Sequence, residues 1–161
     1  MTDREIRDTL GNFCTGVAVA TGITGGKPAG FAVQSFVSLS LDPPLVGLSP
    51  AKTSSSWPLL RASGSFCINI LTSEQKSICN QFAQRGGNKF DGIAWREGVT
   101  RSPVLEDVLA YIDCDLVAEH EVGDHTFAVG QVRDIKMFEN ARSPLLFFKS
   151  DYGVFEPRAL S

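Results

Sequence analysis

A hydroxyl-rich loop, AKTSSSW at residues 51–57, contains the residue types that bind a phosphate group. A phosphate needs several hydrogen-bond donors and a positive charge held at one place, and here threonine and serine hydroxyls accompany Lys52. The loop follows a strand-like segment and precedes a short predicted helix that begins at Ser56. The residues alone leave two interpretations open: a phosphate-binding loop, or a solvated turn in which one serine caps the helix.

A second polar segment, VQSFVS at residues 33–38, lies within a stretch that the sequence predicts as one strand over residues 31–41. Exposed backbone amides beside short side chains suit a flat aromatic ligand that has apolar faces and a polar edge. The alternative is an ordinary barrel strand whose polar side chains face the solvent.

Asn69 and His125 are two further polar residues that could have either a structural or a ligand-binding role. Asn69 interrupts the apolar segment FCINIL, and a buried amide there either ties strands together or reaches a ligand. His125 follows Gly123 and Asp124 at the entrance of a predicted strand, where it can be a general base, a metal ligand or a capping residue. Because His120 is the only other histidine, no metal site is predicted.

A polar loop at residues 84–101 and its neighbours carry aromatic and cationic groups. Phe82 and Phe90 can cover a ring, and Lys89 or Arg85 can meet a pyrophosphate. An ordinary surface loop is the alternative interpretation.

The pattern of elements predicts a mainly β fold. A capping-box pattern at residues 2–5 predicts a helix over residues 3–13, and most of the other segments are short and strand-like with turns between them. Many strands with short connections and a few peripheral helices favour a closed or nearly closed antiparallel barrel. We expect a single domain over residues 1–161.

Composition excludes several classes of protein. The net charge of −3 supplies no basic field for nucleic acid or for an anionic membrane, and no apolar run is long enough to span one. The polar N-terminus does not resemble a signal peptide, and four scattered cysteines favour free thiols in a reducing cytoplasm. Neither GxGxxG nor GxSxG occurs, so a Rossmann dinucleotide site and a serine hydrolase are not expected.

Several segments, in this order and spacing, resemble the short-chain NAD(P)H:flavin oxidoreductases, the reductase components of two-component flavin-dependent monooxygenases. They are TGVAVAT, GFAVQSFVSLSLDPPLV, KTSSSW, FCINIL, GDHTFAVGQV and PLLFFKSDY, and the similarity runs from about residue 10 to residue 156. The resemblance implies a split β-barrel that binds FMN or FAD, uses NADH or NADPH, forms a homodimer and supplies reduced flavin to a monooxygenase.

The resemblance also implies roles for individual residues. It assigns the flavin phosphate to Ser54 with help from Lys52, the flavin ring to the strand around Gln34, and the nicotinamide to His125. The full set of expected flavin contacts is Val33, Gln34, Ser35, Ser38, Ala51, Lys52, Ser54, Ser55, Asn69, Phe82, Lys89, Phe90 and Tyr152.

Two other functions are compatible with the same fold. One is a non-catalytic FMN-binding split-barrel protein. The other is an enzyme like pyridoxamine-phosphate oxidase, which needs a basic cluster for a phosphorylated substrate, and few arginines lie near the expected site.

Overall fold

The computed structural model describes residues 1–139 and 142–158, so residues 140, 141 and 159–161 of the expected domain lie outside the described residues. The helices are α1 (Asp3–Leu10), α2 (Trp57–Ser63) and α3 (Lys76–Ala83), with a 3₁₀ turn at Ser73–Gln75. The first six strands are β1 (Thr15–Gly16), β2 (Ala18–Thr24), β3 (Lys27–Val33), β4 (Val37–Leu41), β5 (Pro44–Leu48) and β6 (Ser65–Ile70). The remaining strands are β7 (Trp95–Glu97), β8 (Pro103–Leu105), β9 (Ala110–Val122), β10 (His125–Met137), β11 (Leu145–Phe148) and β12 (Asp151–Val154).

The main sheet is antiparallel throughout and has the order β3-β2-β6-β9-β10-β5-β4. One core cluster contains Val33 from one end of this sheet and Val46 from near the other, so the sheet curves around its apolar side chains. Within the described residues no ladder joins the edge strands β3 and β4, so hydrogen bonds do not close the sheet. Smaller sheets, β1-β11-β12 and β7-β8, complete the strands. The prediction of a mainly β protein is confirmed.

Helix α3 packs closely against β3 because Gly30 has no side chain. A Cβ atom at Gly30 would lie 2.8 Å from the Ala20 carbonyl oxygen and 2.9 Å from the Phe82 ring. Phe82 is fully buried there and meets the Phe90 ring edge to face, with centroids 5.0 Å apart. This contact places the end of α3 beside β3, where it forms one wall of the candidate site.

Local capping signals are realised in the structure. The Glu5 carboxylate accepts a hydrogen bond of 2.7 Å from the Thr2 amide, and the Glu5 amide donates to Thr2 Oγ1, so the predicted capping box is confirmed. Helix α1 ends at Leu10, earlier than predicted, where the Asn12 side chain donates to the last carbonyl groups. Gly64 ends α2 with a φ of 73°, a left-handed conformation that glycine adopts readily at helix ends.

The prediction of one long strand over residues 31–41 is wrong. Strand β3 ends at Val33 and β4 begins at Val37, with an irregular segment between them. Ser35 Oγ there accepts a hydrogen bond of 2.8 Å from the Ser49 amide, so a tertiary partner on the loop after β5 stabilises the break.

No helix in the described part of the chain is long and apolar enough to cross a membrane.

Candidate functional site

A continuous cleft runs along the edge strand β3. Its two halves have volumes of about 410 and 510 Å³ and share Phe31, Ala32, Ala51, Ser54 and Ala83 as lining residues. We call them the His125 half and the Lys89 half, after a side chain that lines each. The walls come from β3, the loop after β5, helix α3, the start of β10, and β12.

Most of the sequence-predicted site residues come together in this cleft. The His125 half is lined by Val33, Gln34, Ser35, Ala51, Ser54, His125 and Tyr152. The Lys89 half is lined by Ala51, Ser54, Ser55, Phe82 and Lys89. These residues come from five separate stretches of the chain, so only the folded sheet and α3 bring them together.

Ser54 occupies the centre of the cleft and has an unexpected second function. Its Oγ accepts a hydrogen bond of 3.1 Å from the Trp57 amide at the start of α2, while Ser56 makes no side-chain capping bond. A hydroxyl that accepts one hydrogen bond keeps its own proton to donate. Ser54 can therefore cap the helix and bind an anion at the same time, so the two interpretations of this loop do not exclude each other.

Lys89 connects three elements at the floor of its half. Its ammonium donates to the Gly30 and Phe82 carbonyl oxygens, at 3.3 and 3.1 Å, and to Ser56 Oγ at 3.2 Å. Burial lowers the pKa of Lys89 from its usual value. Because an ammonium has three donors and all three are used, Lys89 gives the cleft a fixed positive charge rather than a free hydrogen-bonding arm.

Lys52 and Ser38 lie away from the cleft lining. The Lys52 ammonium is 3.6 Å from Glu121 Oε2 and its side chain is half exposed, so it faces an acidic neighbour on β9. Ser38 is exposed on β4, beyond the break that separates β4 from β3. The break therefore carries Ser38 away from the segment that lines the cleft.

Asn69 and Phe90 are core residues. The Asn69 amide is fully buried, donates to the Val19 carbonyl oxygen at 3.2 Å and accepts from the Leu105 amide at 2.8 Å. These bonds join β6 to β2 and β8, which favours the structural alternative for this residue. Phe90 packs between Phe82 and other apolar side chains rather than facing the cleft.

His125 is oriented by the residue before it. Its Nδ1 lies 2.7 Å from Asp124 Oδ1, and this hydrogen bond lowers the pKa of the Asp124 carboxyl. A proton on Nδ1 that is shared with the carboxylate leaves Nε2 of the neutral ring as an acceptor. The bond therefore selects which ring nitrogen presents a lone pair.

The turn that carries His125 is hydrogen-bonded to the serine loop. The Lys52 amide donates to the Asp124 carbonyl oxygen at 2.9 Å, and the Thr126 amide donates to the Pro50 carbonyl oxygen at 3.0 Å. An isolated bridge pairs Ala51 with His125. Backbone bonds that no local sequence pattern indicates thus hold the histidine segment against the serine loop at the centre of the cleft.

Tyr152 reaches the His125 half from β12. Its hydroxyl donates to Asn80 Oδ1 at 3.2 Å and lies 3.4 Å from the Cys79 thiol. The hydrogen bond with Cys79, together with burial, raises the pKa of Tyr152 to about 12. Burial also raises the pKa of Cys79, so this wall is uncharged at neutral pH.

Among the described residues, no group of three or more histidine, cysteine or acidic side chains is arranged to hold a metal ion.

Comparison with known proteins agrees with the architecture. Residues 10–156 match the model of the flavin reductase like domain. The chain belongs to this family. The family assignment confirms the resemblance that the sequence segments indicated.

Three known proteins illustrate what this chain is similar to. The HsaB reductase subunit of a flavin-dependent monooxygenase from Rhodococcus jostii is 48% identical over 154 residues, which are 96% of this chain and 78% of that one. The crystal structure of nitrilotriacetate monooxygenase component B from Mycobacterium thermoresistibile has a TM-score of 0.94 and 43% identity, over 98% of this chain and 89% of the other. The NADH:FAD oxidoreductase SgcE6 of Streptomyces globisporus, solved with NAD and FAD fragments, has a TM-score of 0.90 at 32% identity, over 98% and 95% of the two chains.

Sequence reasoning missed several residues of this cleft. Ser49 and Pro50 line it immediately before the serine loop, and their position next to that loop was a usable signal. Cys79 and Ala83 line it from α3, where their spacing of four residues places them on one face of the helix. That face is apolar, so its pattern alone resembles ordinary core packing.

Proposed function

We propose that this protein is an NAD(P)H:flavin oxidoreductase that reduces FMN or FAD and supplies the reduced flavin to a partner monooxygenase. The observation that carries the proposal is the continuity of the cleft, with hydroxyls and a fixed cation in one half and His125 in the other. A flavin nucleotide has the matching chemistry, since an anionic phosphate is joined through a flexible chain to a flat ring.

The Lys89 half fits the phosphate. Ser54, Ser55 and Thr53 present hydroxyl groups to it, and the desolvated Lys89 ammonium adds a positive charge that does not need to move. Charge-assisted hydrogen bonds are worth about 1.5–3 kcal/mol, more than neutral ones. The Lys89 half therefore supplies the binding energy that fixes the position of the ligand along the cleft.

The His125 half fits the ring. Ala32, Val33 and Pro50 offer small apolar surfaces, and Gln34 and Ser35 lie beside them at the break after β3. The neutral Tyr152 side chain forms another part of the wall. An irregular backbone with short side chains leaves amide groups accessible to the polar edge of a flavin, which an unbroken central strand would not do.

His125 is the residue best placed to position a nicotinamide. Asp124 holds its Nδ1, so Nε2 can accept a hydrogen bond from the carboxamide of a dihydronicotinamide. A bound flavin supplies the hydride acceptor, so the protein contributes alignment and proximity rather than an obligatory acid or base. HsaB, a reductase subunit of a flavin-dependent monooxygenase, and SgcE6, an NADH:FAD oxidoreductase, support flavin and nicotinamide chemistry for this chain.

The finer features of the proposal concern assembly and location. We propose that the whole chain is one domain, that its curved sheet is a split β-barrel and that two copies form a homodimer. We also propose a cytoplasmic enzyme, because reduced nicotinamides are available there and Cys67, Cys79 and Cys114 are free thiols. We propose a monooxygenase partner because the similar protein HsaB is the reductase subunit of a flavin-dependent monooxygenase.

The proposal is tested by mixing the protein with NADH or NADPH and each flavin under anaerobic conditions. Loss of reduced-nicotinamide absorbance together with bleaching of the flavin is the expected result. A protein that binds flavin but leaves the nicotinamide unchanged is a binding module, which contradicts the proposal. In a separate aerobic assay with FMN, oxidation of pyridoxamine phosphate by oxygen without added nicotinamide would instead identify the other alternative.

A further inference from the structure

Arg85 differs from the other cations near the cleft because its guanidinium has no partner among the described residues. It follows α3 and its capping residue Gln84, is exposed and lines the Lys89 half. Among the described residues, the two lysines beside the serine loop are already paired. Lys89 donates to three acceptors, and Lys52 faces Glu121.

Arg85 stands where the cleft opens to solvent. The next two residues, Gly86 and Gly87, both have a φ of 73°, and a Cβ atom added to either would meet nothing within 4 Å. Arg85 and these two exposed glycines therefore mark an open side of the Lys89 half, on which a ligand with its first phosphate at the serine loop has room for a second phosphate. A planar guanidinium with five donors is suited to a phosphate at this opening, because it can bind two oxygens at once.

We infer that Arg85 binds the second phosphate of FAD, and that this residue determines how well the protein binds FAD relative to FMN. The inference rests on the proposed function, since it places the first flavin phosphate at Ser54 and Ser55. It assigns different work to the two groups. The serine loop distinguishes FMN from riboflavin, and Arg85 distinguishes FAD from FMN.

Riboflavin, FMN and FAD form a series with no, one and two phosphates, so titrations with all three separate the two groups. Flavin fluorescence in the absence of nicotinamide measures each Kd for the wild type, Arg85→Gln and Arg85→Lys. Lys27→Gln is the matched control, because Lys27 is exposed at the start of β3 and lines neither half of the cleft.

We expect Arg85→Gln to raise the Kd for FAD by about tenfold while the Kd values for FMN and riboflavin change by less than about twofold. Arg85→Lys keeps the charge without the planar fork and should give an intermediate Kd for FAD. The control should match the wild type with all three flavins.

Equal weakening of FMN and FAD would place Arg85 at the first phosphate and overturn the inference, as would unchanged binding of both. A variant that binds all flavins normally but has a raised KM for NADPH or NADH would assign Arg85 to the nicotinamide and overturn it too. Failure of the proposed function is a separate result: it is a wild-type protein that binds flavin without NAD(P)H-dependent reduction, whatever the Arg85 titrations give.

Discussion

The Ser54 side chain links helix stability to ligand binding within a single hydroxyl group. Its oxygen accepts from the Trp57 amide, and its proton remains available to the cleft. An alanine substitution therefore removes two functions at once, and a loss of affinity alone would not separate them. An aspartate caps a helix about as well as serine does, yet it repels a phosphate, so it separates the two.

For Ser54→Asp we predict a Kd for FMN raised by at least about tenfold, with riboflavin binding unchanged, because only the phosphate meets the new charge. The free energy of unfolding should stay near the wild-type value, whereas Ser54→Ala should lose about 1 kcal/mol with the cap. Fluorescence titration and urea unfolding measure the two quantities. Unchanged FMN affinity in the aspartate variant would show that Ser54 does not contact the phosphate.

His125 gives a second prediction for a single residue. His125→Ala should raise the KM for NADH roughly tenfold, since a hydrogen bond to the carboxamide is lost, while the Kd for FMN changes little. Steady-state kinetics at saturating flavin, with a separate flavin titration, checks both parts. His120→Ala is the control, because His120 is exposed on β9 and lies outside the cleft lining. Wild-type KM and turnover in His125→Ala would contradict the assignment.

Strand β6 depends on Asn69 to hold its neighbours in register. The amide of this residue bonds to β2 on one side and to the Leu105 amide of β8 on the other, with no exposure to solvent. Buried polar groups that lose their partners are expensive, so the side chain is more important for the sheet than its small size indicates.

Asn69→Ala should therefore lower the free energy of unfolding by about 3 kcal/mol, because it leaves several backbone groups unpaired. Thermal and urea unfolding measure this loss. Flavin affinity, measured at a temperature where the variant is folded, should equal that of the wild type. A variant with normal stability but weakened flavin binding would contradict the structural role and indicate that Asn69 contacts the flavin.

Local signals in the sequence predicted elements better than they predicted breaks. The Thr2 and Glu5 pair and Gly64 act within a few residues, so α1 and the end of α2 could be recognised. The break after Val33 depends on a bond between Ser35 and Ser49, which are far apart in sequence. Contacts between distant parts of the chain also decide that all three donors of the Lys89 ammonium are used and that Cys79 lines the cleft. No short stretch of sequence could show either fact.

At the scale of the whole molecule, β4 is the feature that most needs an explanation. It is an edge strand, and Val37, Leu39 and Leu41 expose 40%, 43% and 90% of their surfaces. Exposed apolar side chains on an unpaired edge favour association, and proteins usually protect such edges. The proposed homodimer gives this edge a partner.

We predict that the wild type has twice the mass of one chain by light scattering, and that Leu41→Glu shifts it toward a single chain. A buried charge at a dimer contact is costly, whereas the same charge on an open edge is not. Leu59→Glu, on the exposed face of α2, should leave the mass unchanged. A wild type that is monomeric at every concentration would contradict the homodimer.

The backbone bonds between residues 50–52 and 124–126 have a thermodynamic consequence. Because the Lys52 amide and the Asp124 carbonyl oxygen are bonded directly, the serine loop and the histidine turn share part of their conformational energy. Substitutions on the two segments should then show an interaction energy in a double-mutant cycle rather than simple additivity. A substitution that alters ligand preference at the serine loop is accordingly expected to change how the histidine segment responds to further substitution.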